Sequence, residues 1–443
     1  MKFKLFTVLL IFLLILPFFL NYGTIAKAGS ASTSPNIFLG VDVSFESVPA
    51  TEQLIDDVSS YTNLFVIGCY GNYNLTRLSV ISQYVYDKGL SFIVYTDSPR
   101  FPSSQWLADA KSTYGDRFLG IYYLDEVGGK QLDQSSYPFV TNATLPQSGA
   151  TFNDAATKYV QILNFFLRNE TYGISRNFAY PNEFQLFTSD YSLYWYDYAA
   201  GYDTVFAEFT MSYSQQLNLD LVRGAAASQN KDWGVMITWK YNTSPYMESG
   251  SDLLSDMKLA YDNGAKYIIV FDGDQNWTQN VLLHISPGQP GYPGQLDAMK
   301  EFWQYVKANP QTISPVSDRT AYVLPADYAY GFRGPNDRIW GLWDPDSLTD
   351  SICRNVSTLM QEYSYNLDIV YPNGTYPVES LGYKNIFYWN DPRLIDTPIT
   401  SAPATATGSQ KNLTMLEIYV FSCTAVVLTV VAVVAMLLKF KKH

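Results

Sequence analysis

Histidine is almost missing from this chain of 443 residues: His284 and the terminal His443 are all it has. That excludes zinc centres built on several histidines. It also leaves Ser-His-Asp or Cys-His chemistry resting on His284 alone, which sits between an apolar VLL and a Pro/Gly loop and reads as structural. There is no Gly-x-Ser-x-Gly motif, so a peptidase or esterase is a poor fit. Cysteine is scarce as well. Cys423 falls inside a C-terminal apolar run, so Cys69 and Cys353 form the one conceivable ectodomain pair, too few for a disulfide framework. Cys69, within an apolar run, reads as a small core residue. Basic residues are outnumbered, 29 against 41 acids, for a net charge of −12. No basic patch is visible between the termini, so nucleic-acid binding is excluded as a class. No metal or cofactor motif emerges, and polar chemistry must rest on carboxylates.

Aromatics, in contrast, are abundant: 36 Tyr, 26 Phe and 9 Trp. So many tyrosines cannot all be interior, and exposed rings stack well on sugar faces. A carbohydrate partner is therefore expected.

Both ends read as targeting segments. Met1-Lys2-Phe3-Lys4, the apolar run Leu5 to Leu20 and Ala26-Lys27-Ala28 match a secretory signal peptide over 1–28. Ile418 to Leu438 is apolar and uncharged, long enough to span about 30 Å. Lys439, Lys441 and Lys442 follow, so residues 439–443 read as a cytoplasmic basic tail and the body as extracellular. The Thr/Ser/Pro-rich stretch 397–413 reads as a stalk. Asn-x-Ser/Thr sequons at Asn74, Asn142, Asn169, Asn242, Asn276, Asn355, Asn373 and Asn412 agree with a glycoprotein on the cell membrane.

Between signal and stalk lie short apolar runs separated by helical patterns. The runs are Asn36–Phe45, Thr62–Gly71, Gly89–Asp97, Arg117–Glu126, Arg176–Pro181, Tyr202–Phe209, Trp233–Tyr241 and Lys266–Asp274. The LYWYDYAAG segment before the sixth run reads as a helix. Strands alternating with helices imply βαβ units, and eight of them over 36–308 predict an α/β (β/α)8 barrel. In that fold function gathers at the carboxyl ends of the strands. There the sequence places Asp42, Asp97, Asp125, Glu126, Glu208, Asp272 and Asp274, with Trp239 and Tyr241. Asp42 and Glu208 stand inside apolar strands, where an acid is costly unless paired or functional. Alternation along a strand puts Asp125 and Glu126 on opposite faces. Glu126 is then the expected acid, with a partner carboxylate among Glu208, Asp42 and Asp272. Trp239 and Tyr241 are candidate sugar platforms, Asp97 and Asp274 further substrate contacts. Gly128-Gly129 reads as a loop that stays clear of a bulky substrate.

LGIYYLDEVGG on the fourth strand resembles barrel-type glycoside hydrolases, in which an acid ends this strand. GVDVSFES on the first resembles the start of lysozyme-like muramidase barrels. The stalk, the tyrosine-rich body and the short basic tail resemble archaeal cell-surface proteins. These resemblances imply a glycoside hydrolase acting on polysaccharide or glycan by carboxylate acid/base chemistry. The muramidase Asp-x-Glu arrangement is absent, and ITWKY offers no glutamate at the end of strand seven. A catalytically inactive barrel that binds glycans or belongs to the cell envelope is the alternative.

Asn309 to Arg319 reads as a linker. Beyond it AYVLP, LDIVYP and NIFYWN read as strands and SLTDSICRNVSTLMQEYSYN as a helix, a small α/β domain over 318–392. Gly331 to Trp343, GFRGPNDRIWGLW, reads as an ordered surface loop.

Overall fold

The computed structural model describes residues 36–44, 47–68, 74–134, 138–146, 149–168, 184–274, 281–282, 294–372, 374 and 377–395. The expected signal peptide, stalk, span and tail, together with Cys69 and His284, lie outside them. Among the described residues no helix is long and apolar enough to cross a membrane.

Eight parallel strands close into a barrel in sequence order: β1 (Phe38–Val43), β2 (Leu64–Ile67), β3 (Ser91–Thr96), β4 (Phe118–Tyr123), β5 (Gln185–Asp190), β6 (Thr204–Phe209), β7 (Asp232–Ile237) and β8 (Tyr267–Asp272). β8 returns to β1 in the register Phe38↔Tyr267 through Val43↔Asp272. The outer layer holds α1 (Val48–Val58), α2 (Leu75–Asp87), α3 (Ser104–Tyr114), α4 (Val127–Asp133), α5 (Phe152–Arg168), α6 (Tyr194–Ala200), α7 (Gln215–Ala227), α8 (Gly250–Asp262) and α9 (Gln295–Ala308). One expectation fails here. The fifth strand is QLFTSD, not Arg176–Pro181, which lies outside the described residues. QLFTSD ends in three polar residues and so lacks the continuous apolar run that marks the other strands. Buried on both sides, it is held by its neighbours in the barrel rather than by its own hydrophobicity.

Alternate residues of these strands fill the barrel: Leu64, Val66, Ile93, Tyr95, Tyr122, Phe187, Phe206, Met236, Tyr267, Ile269 and Phe271 form one cluster. This is the layered side-chain core of a closed parallel barrel. The period of two also sorts the acids. Glu208 shares a parity with Phe206, and Asp42 with Phe38, which packs on the cluster. Asp272 has the opposite parity to Phe271 and points outward.

Most outer helices start on a side-chain cap at the carboxyl end of the barrel. Ser47, Asn74, Ser103, Ser214 and Ser249 each accept an amide of the first turn. α4 and α6 are exceptions. Their cap residues, Glu126 (φ 53°) and Leu193 (φ 52°), are left-handed and make no side-chain cap bond.

A three-stranded parallel sheet follows, with β9 (Thr320–Val323) between β10 (Leu367–Val370) and β11 (Asn385–Tyr388). α10 (Ser347–Tyr363) opens on a capping box of Asp346 and Thr349. The sheet is fastened to α7 by a buried ion cluster. Arg223 Nε donates to Asp368 Oδ1 at 2.6 Å, and Tyr383 and Arg319 hold Asp368 Oδ2 at 2.8 Å each. The Gly331–Trp343 segment is no mere surface loop. Trp340 is fully buried against Tyr196, with ring centroids 4.7 Å apart, and its carbonyl accepts from Gln131 of α4. The compact unit ends at Asp391. Pro392–Ile395, a four-residue helix α11, belongs to a second unit.

Candidate active site

A cavity of about 740 Å³ opens at the carboxyl end of the barrel. It is lined by Asp97, Asp125, Glu126, Lys130, Ser189, Glu208 and Trp239, among others. The barrel parity delivers Glu208 and Ser189 to its floor. Glu126 arrives differently. β4 ends at Tyr123, and Leu124 (φ 60°) and Glu126 (φ 53°) flank Asp125 in left-handed backbone. This breaks the strand alternation, so Asp125 and Glu126 face the same cavity, against the expectation of opposite faces. Left-handed backbone at two non-glycine residues costs about 1 kcal/mol or more each. It is held by bonds from neighbouring strands: Leu124 N to Thr96 O at 3.1 Å and Glu126 N to Ser189 O at 2.8 Å.

An acid at a helix start normally caps its own helix. Here Asp190 of β5 takes over that task. Its Oδ2 accepts from Gly128 N at 2.5 Å and its Oδ1 from Gly129 N at 2.8 Å, Tyr191 N at 2.8 Å and Ser192 N at 3.0 Å. Glu126 is thereby freed to face the cavity. This also corrects the reading of Gly128-Gly129. A Cβ on Gly128 would lie 2.6 Å from Leu193 Cβ, and one on Gly129 only 2.0 Å from the Tyr191 ring. The glycines are needed for close packing against the β5–α6 turn, not for clearance of a substrate. Behind them Asp197, whose Oδ1 accepts from Tyr159 OH at 2.7 Å, is pushed up to about 8 by burial, with the interactions with Tyr159 and Asp190 opposing the rise.

Three links join the carboxylates. Glu126 and Glu208 line the same cavity and interact side chain to side chain. Tyr122 OH lies 2.6 Å from Ser189 Oγ, which donates to Glu208 Oε1 at 2.6 Å. Lys130 Nζ stands 3.2 Å from Glu126 Oε2 and 3.4 Å from Asp125 Oδ1, and donates to Asp125 O at 3.2 Å. Two interacting carboxyls cannot both be charged at little cost. Burial, then the Glu126 charge, holds Glu208 well above the ordinary carboxyl range, with the Ser189 bond opposing. Glu126 is raised by burial and by Asp125, while Lys130 and the interaction with Glu208 pull it back. Burial works against the Lys130 charge, but Asp125, Glu126 and Glu208 outweigh it and hold the ammonium protonated. The proton of the pair therefore belongs on Glu208, with Glu126 kept anionic by Lys130.

The other expected site residues are spread around this centre. Asp97 lines the cavity and is raised by burial and by Asp125. Asp42 lines a small adjoining pocket of about 30 Å³ with Tyr95, Tyr122 and Asp125, and burial with the charges of Asp125 and Asp272 raises it strongly. Trp239 lines the main cavity, its Nε1 donating to Gly273 O at 2.7 Å. Asp272, Asp274 and Tyr241 do not line it. Asp272 faces outward and accepts from Leu282 N at 2.6 Å, Asp274 is buried, and Tyr241 is 49 % exposed elsewhere. Sequence reasoning missed Lys130, Ser189, Tyr95 and Tyr122. Lys130 had a signal, since it stands four residues after Glu126, the spacing of a helical ion pair. Among the described residues no group of acids, histidines or cysteines is arranged to hold a metal ion.

No protein-family model and no curated protein matches the chain. Solved structures align with parts of it. A GH5_18 protein from Streptomyces cattleya, in complex with GlcNAc, aligns at TM-score 0.48 and 10 % identity over 80 % of this chain and 99 % of that one. The GH99 endo-alpha-mannosidase from Bacteriodes thetaiotaomicron aligns at TM-score 0.36 and 11 % identity over 59 % and 85 %. An HpcH/HpaI aldolase/citrate lyase family protein from Burkholderia cenocepacia J2315 aligns at TM-score 0.31 and 12 % identity over 53 % and 88 %. At such scores the likeness assigns no chemistry.

Proposed function

We propose that this chain is a glycoside hydrolase acting on polysaccharide or glycan, anchored in the cell membrane with the barrel outside. The observation that carries the reading is that Glu126 and Glu208 line one large aromatic-lined cavity, with Lys130 Nζ 3.2 Å from Glu126 Oε2 to favour its charged form and burial raising Glu208 toward its protonated form. Glycoside hydrolysis needs these two states side by side. Glu208 gives its proton to the glycosidic oxygen as the bond to the anomeric carbon breaks. Glu126 attacks that carbon and forms a glycosyl ester. Glu208, now ionised, takes a proton from water, whose oxygen displaces Glu126 and releases the sugar. Trp239, Tyr95 and Asp97 offer a stacking face and hydrogen-bond partners for the sugar. No cofactor enters the scheme, and nucleic acid is not a partner. The anchored, extracellular location rests on the signal-like start, the uncharged run 418–438 with its lysines, and the sequons.

The test incubates the purified full chain with a panel of polysaccharides and counts reducing ends for wild type and Glu126→Gln. Release that disappears in the variant supports the reading. A folded wild type that binds glycans and releases nothing turns it into a surface glycan-binding or envelope protein.

A further inference from the structure

The cavity has two unlike halves. The inner half carries Glu126, Glu208, Asp125, Lys130, Ser189, Tyr122 and Thr238. The outer wall is Pro99, Pro138, Phe139, Ile162 and Phe166, contributed by the loops after β3 and α4 and by α5. Phe139 and Phe166 meet edge to face at 6.2 Å. Phe166 is 37 % exposed, although α5 has a well-buried face of its own in Ala155, Tyr159, Leu163 and Leu167. Ile162 and Phe166, four residues apart, thus form a second apolar stripe on this helix, turned to the cavity rather than to the core.

None of these five side chains can donate or accept a hydrogen bond. A sugar could lay only an apolar face on the two rings; its hydroxyls, placed against Pro99, Pro138 and Ile162, lose their water partners without replacement. An alkyl or aryl group gains there instead. Because wall and carboxylates belong to one cavity, whatever touches the wall is continuous with the bond between Glu126 and Glu208.

Resting on the glycosidase reading, we propose that the leaving side of the substrate is apolar: the chain cleaves glycosides whose aglycone is a lipid-like or aryl group held by Phe139, Ile162 and Phe166.

The test compares methyl, butyl and octyl glycosides of glucose, mannose and N-acetylglucosamine, below micelle-forming concentrations, with phenyl glycosides as the aryl arm. The full-length wild type, Phe166→Ser and Ile162→Asn are assayed for KM. Calorimetric Kd values are measured in parallel, so that the wall is tested even if nothing is hydrolysed. For wild type, KM or Kd should fall up to about fourfold for each of the first methylenes added, and both variants should flatten that dependence. A gain for phenyl but not octyl assigns an aryl aglycone, and the reverse a lipid-like one. Length-dependent binding without hydrolysis keeps the apolar site and removes the hydrolase. Equal values for methyl, octyl and phenyl glycosides, or a gain that survives both variants, overturns the inference whether or not glycosides are cleaved.

Discussion

Replacing Lys130 by Met keeps the length of the side chain and removes the one charge that holds Glu126 ionised. Its Nζ lies 3.2 Å from Glu126 Oε2. At an effective dielectric of about 20, a unit pair at that distance interacts by about 5 kcal/mol. Both side chains keep contact with solvent, at 29 % and 30 % exposure, which reduces this to about 2–3 kcal/mol, or about two pKa units. The variant should therefore raise the first titration of the Glu126–Glu208 pair by about one to two pH units. The signal is the pH dependence of carboxyl 13C shifts in glutamate-labelled full chain, a readout that needs no substrate. Lys130→Arg, which keeps the charge, should stay near wild type. A pair that titrates within about 0.3 units of wild type in Lys130→Met would refute the reasoning, because the ammonium would then not set the charge of Glu126.

Three further outcomes are expected. Gly129→Ala should destabilise the fold by about 1–3 kcal/mol in urea denaturation, since its Cβ meets the Tyr191 ring at 2.0 Å; a neutral result would show that the β5–α6 turn yields easily. Burial pushes Asp197 and Glu248 up to about 8 in the folded chain, whereas both titrate near 4 when unfolded. The folded state then binds more protons between those values, so the unfolding free energy from urea denaturation should fall as pH rises from 5 to 7.5, by about 1.4 kcal/mol per pH unit for each retained proton; a rise would reverse the sign. Asn355 is only 8 % exposed and its Nδ2 donates to Tyr322 OH at 3.1 Å. Its sequon should be unoccupied in peptide mass maps of the native protein, in contrast to that of exposed Asn74, and a glycan at Asn355 would contradict the packing.

The barrel was legible because seven of its strands are apolar runs, five of them followed by helices with side-chain caps. β5 was not, since QLFTSD is stabilised by its neighbours and not by its own composition. The acids at strand ends could be named, and Glu126 and Glu208 do share a cavity. What alternation could not give was the backbone after Tyr123. Leu124 and Glu126 are left-handed because contacts from β3 and β5 hold them there, and these contacts are remote in sequence. Asp190 belongs to the same category: its role as cap for α4 depends on a strand 61–62 residues away. Asp272 was misplaced for a simpler reason, since one residue of parity separates inward Phe271 from an outward carboxylate.

The most direct measurement compares leaving groups. Rates would be taken for wild type, Glu208→Gln and Glu126→Gln on a 4-nitrophenyl glycoside, whose leaving group needs no proton, and on the matching alkyl glycoside, which needs one. If Glu208 is the acid, Glu208→Gln should lose about 10²–10⁴-fold on the alkyl glycoside and far less on the nitrophenyl one. Glu126→Gln should fail on both, having lost the group that attacks carbon. The opposite pattern, or two variants that keep wild-type rates on both substrates, would contradict the assignment of proton and charge within the pair.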